Sequence, residues 1–148
     1  MGFKFGERSE KNLATCHEDL QKIHREAIKT SKVDYGISEG HRSLERQKEL
    51  FDEGKSRIDG ISKKGKHNYF PSQATDVYAY VSGRKDLAFD KVHLAYIAGH
   101  IMETARRLYE TGEIKHQLRW GGNWDGDGTL LVDQSLKDMP HFELLNVK

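Results

Sequence analysis

The stretch from residue 90 to residue 112 has the strongest helical periodicity in the chain, and it constrains the fold more than any other feature. Apolar residues recur there at intervals of three and four, which places them on one face of a helix. Asp90 suits the start of this helix, and Gly112 suits its end. This apolar stripe has to be buried against a second layer of structure. The stripe consists of Leu94, Ile97, Ala98, Ile101, Met102, Ala105, Leu108 and Tyr109.

Two shorter helices and four strands are predicted around this long helix. One amphipathic helix is predicted over residues 9–30, with Ser9 as its N-cap, and another begins after Ser43 and stops at Gly54. Residues 55–66 are basic, rich in Gly and Ser and without periodicity, which indicates a mobile loop. The strands are predicted in the segments "VDYGISEG", "ATDVYAY", "LRWGG" and "HFELLNV".

The last of these strands has an alternating pattern that matters for the site. Alternation directs four of its residues to one side: His141, Glu143, Leu145 and Val147. The element order α-β-α-β-α-β-β predicts an α+β domain in which a small sheet carries helices on one face. No linker divides residues 1–148, so we expect one domain.

Composition excludes several classes of function. Lys and Arg number 24 against 23 Asp and Glu, so no net field favours binding to nucleic acid or insertion into a membrane. No apolar run approaches the ~20 residues of a membrane span, and the start lacks the apolar core of a signal peptide. We therefore expect the protein to be made in the cytoplasm and to stay there at first. Cys16 is the only cysteine, so a bound metal would need His, Asp and Glu as ligands.

Four residues form a candidate metal constellation: His67, Asp76, Asp138 and His141. A catalytic zinc takes three protein ligands and keeps one position for water, whose pKa it lowers. A separate carboxylate then accepts the proton from that water. Spacing alone is weak evidence for such a site, because unrelated surface groups produce the same pattern.

The remaining histidines offer no comparable site in the sequence. His17 with His24, and His93 with His100, are seven residues apart on predicted helices, about 10 Å along the axis, which is too far to share one ion. These four are interpreted as ordinary residues of the polar helix faces. His41 and His116 have no assignment.

The two metal motifs carry a resemblance to a known family. "GKHNYFPSQATD" and "DMPHFEL", together with "EGHRSLERQKELF" and "RWGGNWDGDG", resemble the zinc-dependent D-Ala-D-Ala carboxypeptidase and L-alanyl-D-glutamate peptidase group, and within it phage endolysins. The resemblance covers nearly the whole chain and implies a Hedgehog/DD-peptidase-like fold. It also implies one catalytic domain over residues 1–148, without an added wall-binding module.

The resemblance also implies residue roles. It makes His67, Asp76 and His141 zinc ligands, and Asp138 the general base and acid. Arg42 matches a family arginine that binds a substrate carbonyl or carboxylate. For Arg42 the alternative is a structural ion pair at the start of a helix, with Glu39 or Glu45.

The sequence departs from the family motif in three places. Gly65 stands where the motif has serine, Ser72 stands where it has glycine, and two extra residues lie between His67 and Asp76. An extension that bulges outward preserves the site, because only the ligand-bearing ends have to converge.

A calcium site is a further candidate. Asn123, Asp125 and Asp127 occupy positions one, three and five of an EF-hand-like loop, but position twelve is Gln134 rather than glutamate. An Asp/Gly turn without an ion is the alternative. The loop is similar to one through which some related endolysins look to be regulated by calcium. The resemblance therefore implies Ca²⁺ as a regulator.

The resemblance implies a phage endolysin that hydrolyses the L-alanyl-D-glutamate bond of the peptidoglycan stem peptide with Zn²⁺. Two alternatives stay open: a D-Ala-D-Ala carboxypeptidase, and a wall-binding module without catalysis. An endolysin would collect in the host cytoplasm and reach the periplasm and cell wall through a holin-type pore. A monomer is expected.

Overall fold

A computed structural model describes residues 2–130 and 138–148. In this part of the chain the α-helices are α1 (Glu7–Ala14), α2 (Glu18–Thr30), α3 (Leu44–Asp52) and α4 (Lys91–Glu110). Short 3-10 helices cover Lys66–Asn68 and Lys85–Leu87. The strands are β1 (Tyr35–Glu39), β2 (Ala74–Ala79), β3 (Leu118–Trp120) and β4 (His141–Leu144).

The strands form one small sheet in the order β1-β2-β4-β3, and all neighbouring strands are antiparallel. Helix α4 packs against β2, β3 and α2, while α1 packs against β1. The predicted α+β class, with a small antiparallel sheet and packed helices, is confirmed. Among the described residues, no helix combines the length and the apolar composition needed to cross a membrane.

Helix α4 supplies much of the core, as its periodicity predicted. Asp90 caps it by accepting a hydrogen bond from the backbone N–H of His93 at 3.0 Å. Tyr109 departs from the predicted stripe, because 41% of it is exposed. Six members of the stripe are buried against the sheet: Leu94, Ile97, Ala98, Ile101, Ala105 and Leu108.

The single helix predicted over residues 9–30 is wrong, because the chain forms two helices there. Cys16 makes a β-bridge to Ser72, with hydrogen bonds from His17 N to Ser72 O and from Ser72 N to Thr15 O, both of 2.8 Å. His17 then caps α2 through its ring Nδ1, which accepts from Asp19 N. This break depends on a partner segment more than 50 residues away, so local periodicity does not reveal it.

Ser9 is also not the N-cap that was predicted, since α1 begins at Glu7 after Gly6. The Ser9 hydroxyl is buried and accepts a hydrogen bond from Ile37 N at 3.0 Å, which ties α1 to β1.

The predicted strand over residues 141–147 is shorter in the structure, because β4 ends at Leu144. Asn146 has a positive φ of 57°, which ends extended backbone. His141 and Glu143 do lie on the same side of the strand, as alternation predicted, and their side chains are in contact.

Helix α3 agrees with its prediction, since Ser43 accepts a hydrogen bond from Arg46 N and the helix ends at Asp52. Residues 55–65 have neither helix nor strand. Gln47 anchors this loop, because its buried amide donates to the Ser56 hydroxyl at 2.8 Å and to the Ile58 carbonyl at 2.7 Å.

Gly40 lies where the end of β1 meets the end of α1, and it leaves no room for a side chain. A Cβ at this position would clash with the carbonyl oxygen of Asn12 and the sulfur of Cys16. The carbonyl of Gly40 also accepts a hydrogen bond from His67. Close packing at Gly40 therefore fixes the position of the end of α1, and the Gly40 carbonyl fixes the position of His67.

We expect Gly40→Ala to lower the free energy of unfolding by about 1–3 kcal/mol, because the added methyl group overpacks the junction. Urea denaturation followed by circular dichroism measures the change. Gly99→Ala is the matched control, since nothing lies near its added methyl group and alanine favours helix by about 1 kcal/mol. Equal effects of the two substitutions would contradict the assignment of Gly40 as a packing position.

Candidate metal centre

The three predicted ligands meet at one end of the sheet. His67 lies in the first 3-10 helix, Asp76 on β2 and His141 at the start of β4, where it is the register partner of Asp76. His67 Nε2 is 3.1 Å from Asp76 Oδ1, and His141 Nδ1 is 3.2 Å from the same oxygen. One ligand atom from each residue lies within 4.8 Å of the others. Both imidazoles are buried.

The outward nitrogens of both imidazoles are already used as donors. His67 Nδ1 donates to the Gly40 carbonyl at 2.7 Å, and His141 Nε2 donates to Glu143 Oε1 at 2.9 Å. A neutral imidazole with one nitrogen protonated has its lone pair on the other nitrogen. Both lone pairs therefore face Asp76, which is the arrangement that a metal ion needs. These residues fit a zinc ion.

Without an ion, the positive charge between these groups has to come from protons. Burial favours neutral His141, but hydrogen bonds to Asp76 and Glu143 outweigh burial and raise its pKa to about 9. Burial likewise opposes the charge of Asp76, yet the neighbouring His67 and His141 hold the pKa of this carboxyl far below its usual range. A divalent cation supplies the same charge balance without requiring both rings to be protonated.

Glu143 is a site residue to which the sequence analysis gave no role. Its Oε2 accepts a hydrogen bond from Arg119 at 2.7 Å, while its Oε1 holds His141. Arg119 lies over the ring of Trp124, and that ring is 5.3 Å from the ring of His141. The four side chains form a closed circuit around one candidate ligand. The same-side alternation of His141 and Glu143 was the signal in the sequence.

The charge of Glu143 is maintained inside this circuit. Burial opposes it, but hydrogen bonds from His141 and Arg119 lower the pKa of Glu143 to about 2. Glu143 is therefore an ionised acceptor that fixes the tautomer and the orientation of His141.

Asp138 lies beside the predicted ligands. Its backbone bonds to Gly121 and His141, and a Cβ on Gly121 would clash with the Asp138 carbonyl, so a glycine is needed there. Burial and then the negative charge of Asp76 raise the pKa of Asp138, while His141, His67 and Arg42 lower it. The carboxylate therefore shares the electrostatic field of the metal centre without a hydrogen bond to it among the described residues.

Arg42 lies at the site and is also held by structural partners. Its guanidinium donates to Glu39 and, at 2.9 Å, to Gln47 Oε1, and it lies 3.8 Å from Asp76 Oδ2. Both interpretations of Arg42 therefore describe part of its position. Glu39 and Gln47, which the sequence analysis did not assign to the site, fix where the positive charge points.

The two extra residues between His67 and Asp76 bulge outward, which meets the condition under which the extension preserves the site. Phe70 is 72% exposed, whereas His67 and Ser72 at the two ends of the turn are buried. The Ser72 hydroxyl bonds the Ala74 carbonyl at 2.7 Å and so anchors the turn before β2. The extension leaves the ligand-bearing ends in contact.

The candidate calcium loop follows β3, with its oxygen atoms partly used by local contacts. Asp125 Oδ1 accepts from Asp127 N at 3.3 Å, and Asp127 Oδ1 accepts from Thr129 N at 2.7 Å. Asn123 donates to the Asp127 carbonyl, and its own buried side-chain oxygen has no hydrogen-bond partner within residues 2–130 and 138–148. Gln134, the twelfth position, lies outside the described residues.

His24 departs from its interpretation as a polar-face residue, because it is fully buried between Tyr35 and Thr75. Burial lowers its pKa to about 3, so the ring is a neutral part of the core. His100 bonds the Ala27 carbonyl at 2.9 Å and links α4 to α2.

Comparisons with known proteins identify the family of the chain. The family described as phage L-alanyl-D-glutamate peptidase matches residues 1–145. The L-alanyl-D-glutamate peptidase of Escherichia phage T5 is 31% identical over 147 residues, which cover 98% of this chain and all of that protein. The crystal structure of the Serratia marcescens L-Ala D-Glu endopeptidase ChiX is 32% identical, with a TM-score of 0.71 over 95% of this chain and 90% of that one.

Sequence, fold and site thus lead to the same group of enzymes, across nearly the whole chain. The protein is a peptidase, and its chain belongs to the phage L-alanyl-D-glutamate peptidase family.

Proposed function

We propose that the protein is a zinc-dependent endolysin that hydrolyses the L-alanyl-D-glutamate bond of the peptidoglycan stem peptide. One observation carries the metal part of this proposal: the inward nitrogens of His67 and His141 converge on Asp76 Oδ1, and both outward nitrogens are donors. The choice of bond is supported by the family and by the activities that the two relatives are named for.

Zinc held by His67, Asp76 and His141 would polarise the scissile carbonyl and lower the pKa of an attacking water. The protein's own contribution is to hold the three ligands in a buried, hydrogen-bonded frame. Glu143 keeps His141 in the ligating tautomer, and the Gly40 carbonyl does the same for His67.

Asp138 is proposed as the group that moves the proton. Its carboxylate would accept a proton from the attacking water and return it to the amine of D-glutamate as the amide bond breaks. Support comes from its burial and from its electrostatic coupling to Asp76, His141 and His67. A bound cation would lower its pKa and favour the ionised base at neutral pH.

Arg42 is proposed as the positive charge that steadies the oxyanion or a carboxylate of the substrate. Its side chain is 13% exposed and held by Glu39 and Gln47, so its charge is already in place before substrate binds. The stem peptide has free carboxylates close to the cleaved bond, which gives an arginine at this position a second use.

The loop with Asn123, Asp125 and Asp127 is retained as a proposed Ca²⁺ site with a regulatory role. It is supported by the EF-hand-like spacing and by the buried side-chain oxygen of Asn123, which lacks a partner in the described part of the chain. Trp124 in the same loop packs against His141, so order in the loop would reach the metal centre. A monomer, accumulation in the host cytoplasm and passage through a holin-type pore also remain proposals.

The proposed bond and metal are tested together by digesting purified peptidoglycan and identifying the fragments by mass spectrometry. We expect fragments with a new D-glutamate amino group, no product after zinc chelation, and recovery when Zn²⁺ is restored. Free D-alanine as the main product would instead identify a carboxypeptidase. Full activity after complete removal of zinc would refute the metal mechanism.

We expect Asp138→Asn to lower kcat by about 10²–10⁴-fold, because the amide is nearly the same size but cannot accept the proton. Zinc content, measured by mass spectrometry of the metal, should be unchanged. Asp86→Asn is the control, since Asp86 is exposed and pairs with Arg84 at the surface. A loss of activity that follows a loss of zinc would make Asp138 a ligand rather than a base.

We expect Glu143→Gln to weaken zinc binding by about 10–100-fold, because His141 loses its charged partner. Activity at limiting zinc should fall, and excess Zn²⁺ should restore most of it. Glu26→Gln is the control, since its carboxylate pairs with Lys29 at the surface. An activity loss that zinc does not rescue, with circular dichroism unchanged, would contradict the positioning role.

A further inference from the structure

A second group of two imidazoles and one carboxylate lies outside the proposed catalytic centre. His17 precedes α2, Asp19 is in its first turn, and His116 follows α4 nearly 100 residues later. One ligand atom from each lies within 4.8 Å of the others. His116 was unassigned in the sequence, and His17 was compared only with His24, which is buried elsewhere in the core.

The two imidazoles are arranged like the proposed zinc ligands. The rings of His17 and His116 have centres 5.1 Å apart at an interplanar angle of 84°. The rings of His67 and His141 have centres 5.1 Å apart at 70°. Two imidazoles on one tetrahedral zinc have ring centres about 5 Å apart, since each bound nitrogen lies about 2 Å from the ion.

The carboxylate holds one of these rings in a ligating tautomer. Asp19 Oδ2 accepts from His116 Nδ1 at 2.8 Å and also from the backbone N–H groups of Lys115 and His116. The proton on Nδ1 leaves the lone pair on His116 Nε2, which has no hydrogen-bond partner within residues 2–130 and 138–148. A carboxylate that holds one nitrogen of an imidazole, with the lone pair of the other nitrogen available, is a common arrangement at protein metal sites.

His17 has a competing contact that an ion would have to replace. Its Nδ1 accepts the N–H of Asp19, and a neutral imidazole has only one lone pair. Metal binding through either nitrogen of His17 therefore breaks this capping hydrogen bond. The backbone N–H of Asp19 then forms a hydrogen bond to water instead. The exchange removes one hydrogen bond at a half-buried position, where an imidazole–metal bond is the stronger interaction.

The surroundings of the pair leave room for an ion with an open coordination shell. A cavity of about 380 Å³ adjoins the pair and is lined in part by His17, Lys115, His116 and the C-terminal residues. It provides room for water ligands beside the two rings. Glu18 and Asp19, in the first turn of α2, place negative charge there.

We propose that His17 and His116 bind a second divalent transition metal, such as Zn²⁺, with Asp19 as the carboxylate that orients His116. Imidazole ligands select this class of ion over Mg²⁺ or Ca²⁺. The bound ion would link the start of α2 to the connection between α4 and β3, two segments that Asp19 already joins by hydrogen bonds. This site is separate from the proposed catalytic centre and does not depend on the proposed reaction.

Equilibrium dialysis of the full chain against Zn²⁺, with metal content measured by mass spectrometry, tests the proposal. We expect His116→Gln to bind one zinc per chain fewer than the unchanged protein, while its wall-digesting activity at saturating zinc stays the same. His93→Gln is the matched control, since His93 is half-buried, contacts Asp90 and lies in neither metal group. It should bind as much zinc as the unchanged protein.

Ring resonances in nuclear magnetic resonance spectra identify the ligands directly. Zinc should shift the signals of His17 and His116 as one further equivalent binds. An equal zinc content in the unchanged protein and in folded His116→Gln would overturn the proposal, as would signals of His17 and His116 that do not move. If only the catalytic metal were wrong, the unchanged protein would bind one zinc and His116→Gln none.

Discussion

The pairing of β2 with β4 in a single register is the constraint on which the site depends. This register places Asp76 directly opposite His141. On the other side of β2, the pairing with β1 places Glu39 opposite the same Asp76. Glu39 orients Arg42. The three aligned strand residues therefore fix the positions of two candidate ligands and of one positive charge. A slip of one residue in β4 would turn His141 to the opposite face and separate it from Asp76.

The charges around Asp76 explain why the candidate ligands are found together. Asp76 Oδ1 lies close to the inward nitrogens of two buried imidazoles, and each imidazole donates outward to an oxygen atom. Such a set is electrostatically incomplete unless a cation or two extra protons lie between the rings. Glu143, Arg119 and Trp124 extend the network outward, so the orientation of His141 depends on residues outside the candidate ligand set.

Much of the fold was predictable because its elements carry strong local signals. The apolar period and Asp90 cap of α4, the Ser43 cap of α3 and the alternation of β4 all act within a few residues. The break between α1 and α2 was not predictable in this way, since it depends on the pairing of Cys16 with Ser72. For the same reason spacing alone gave weak evidence for His67, Asp76 and His141, and the family resemblance was needed to select them.

The residues that escaped the sequence analysis share a physical cause. Glu143 has its role only because Arg119 and His141 both reach it, and His116 meets His17 only after α4 has folded back onto α2. The site also divides its tasks by element. Asp76 and His141 lie on paired strands, where hydrogen bonds fix their separation, whereas Arg42 and Asp138 lie on the connections beside them. Two of the three candidate ligands are thus held by the sheet, while His67 in its 3-10 helix is held by the Gly40 carbonyl, and Arg42 is held by Glu39 and Gln47.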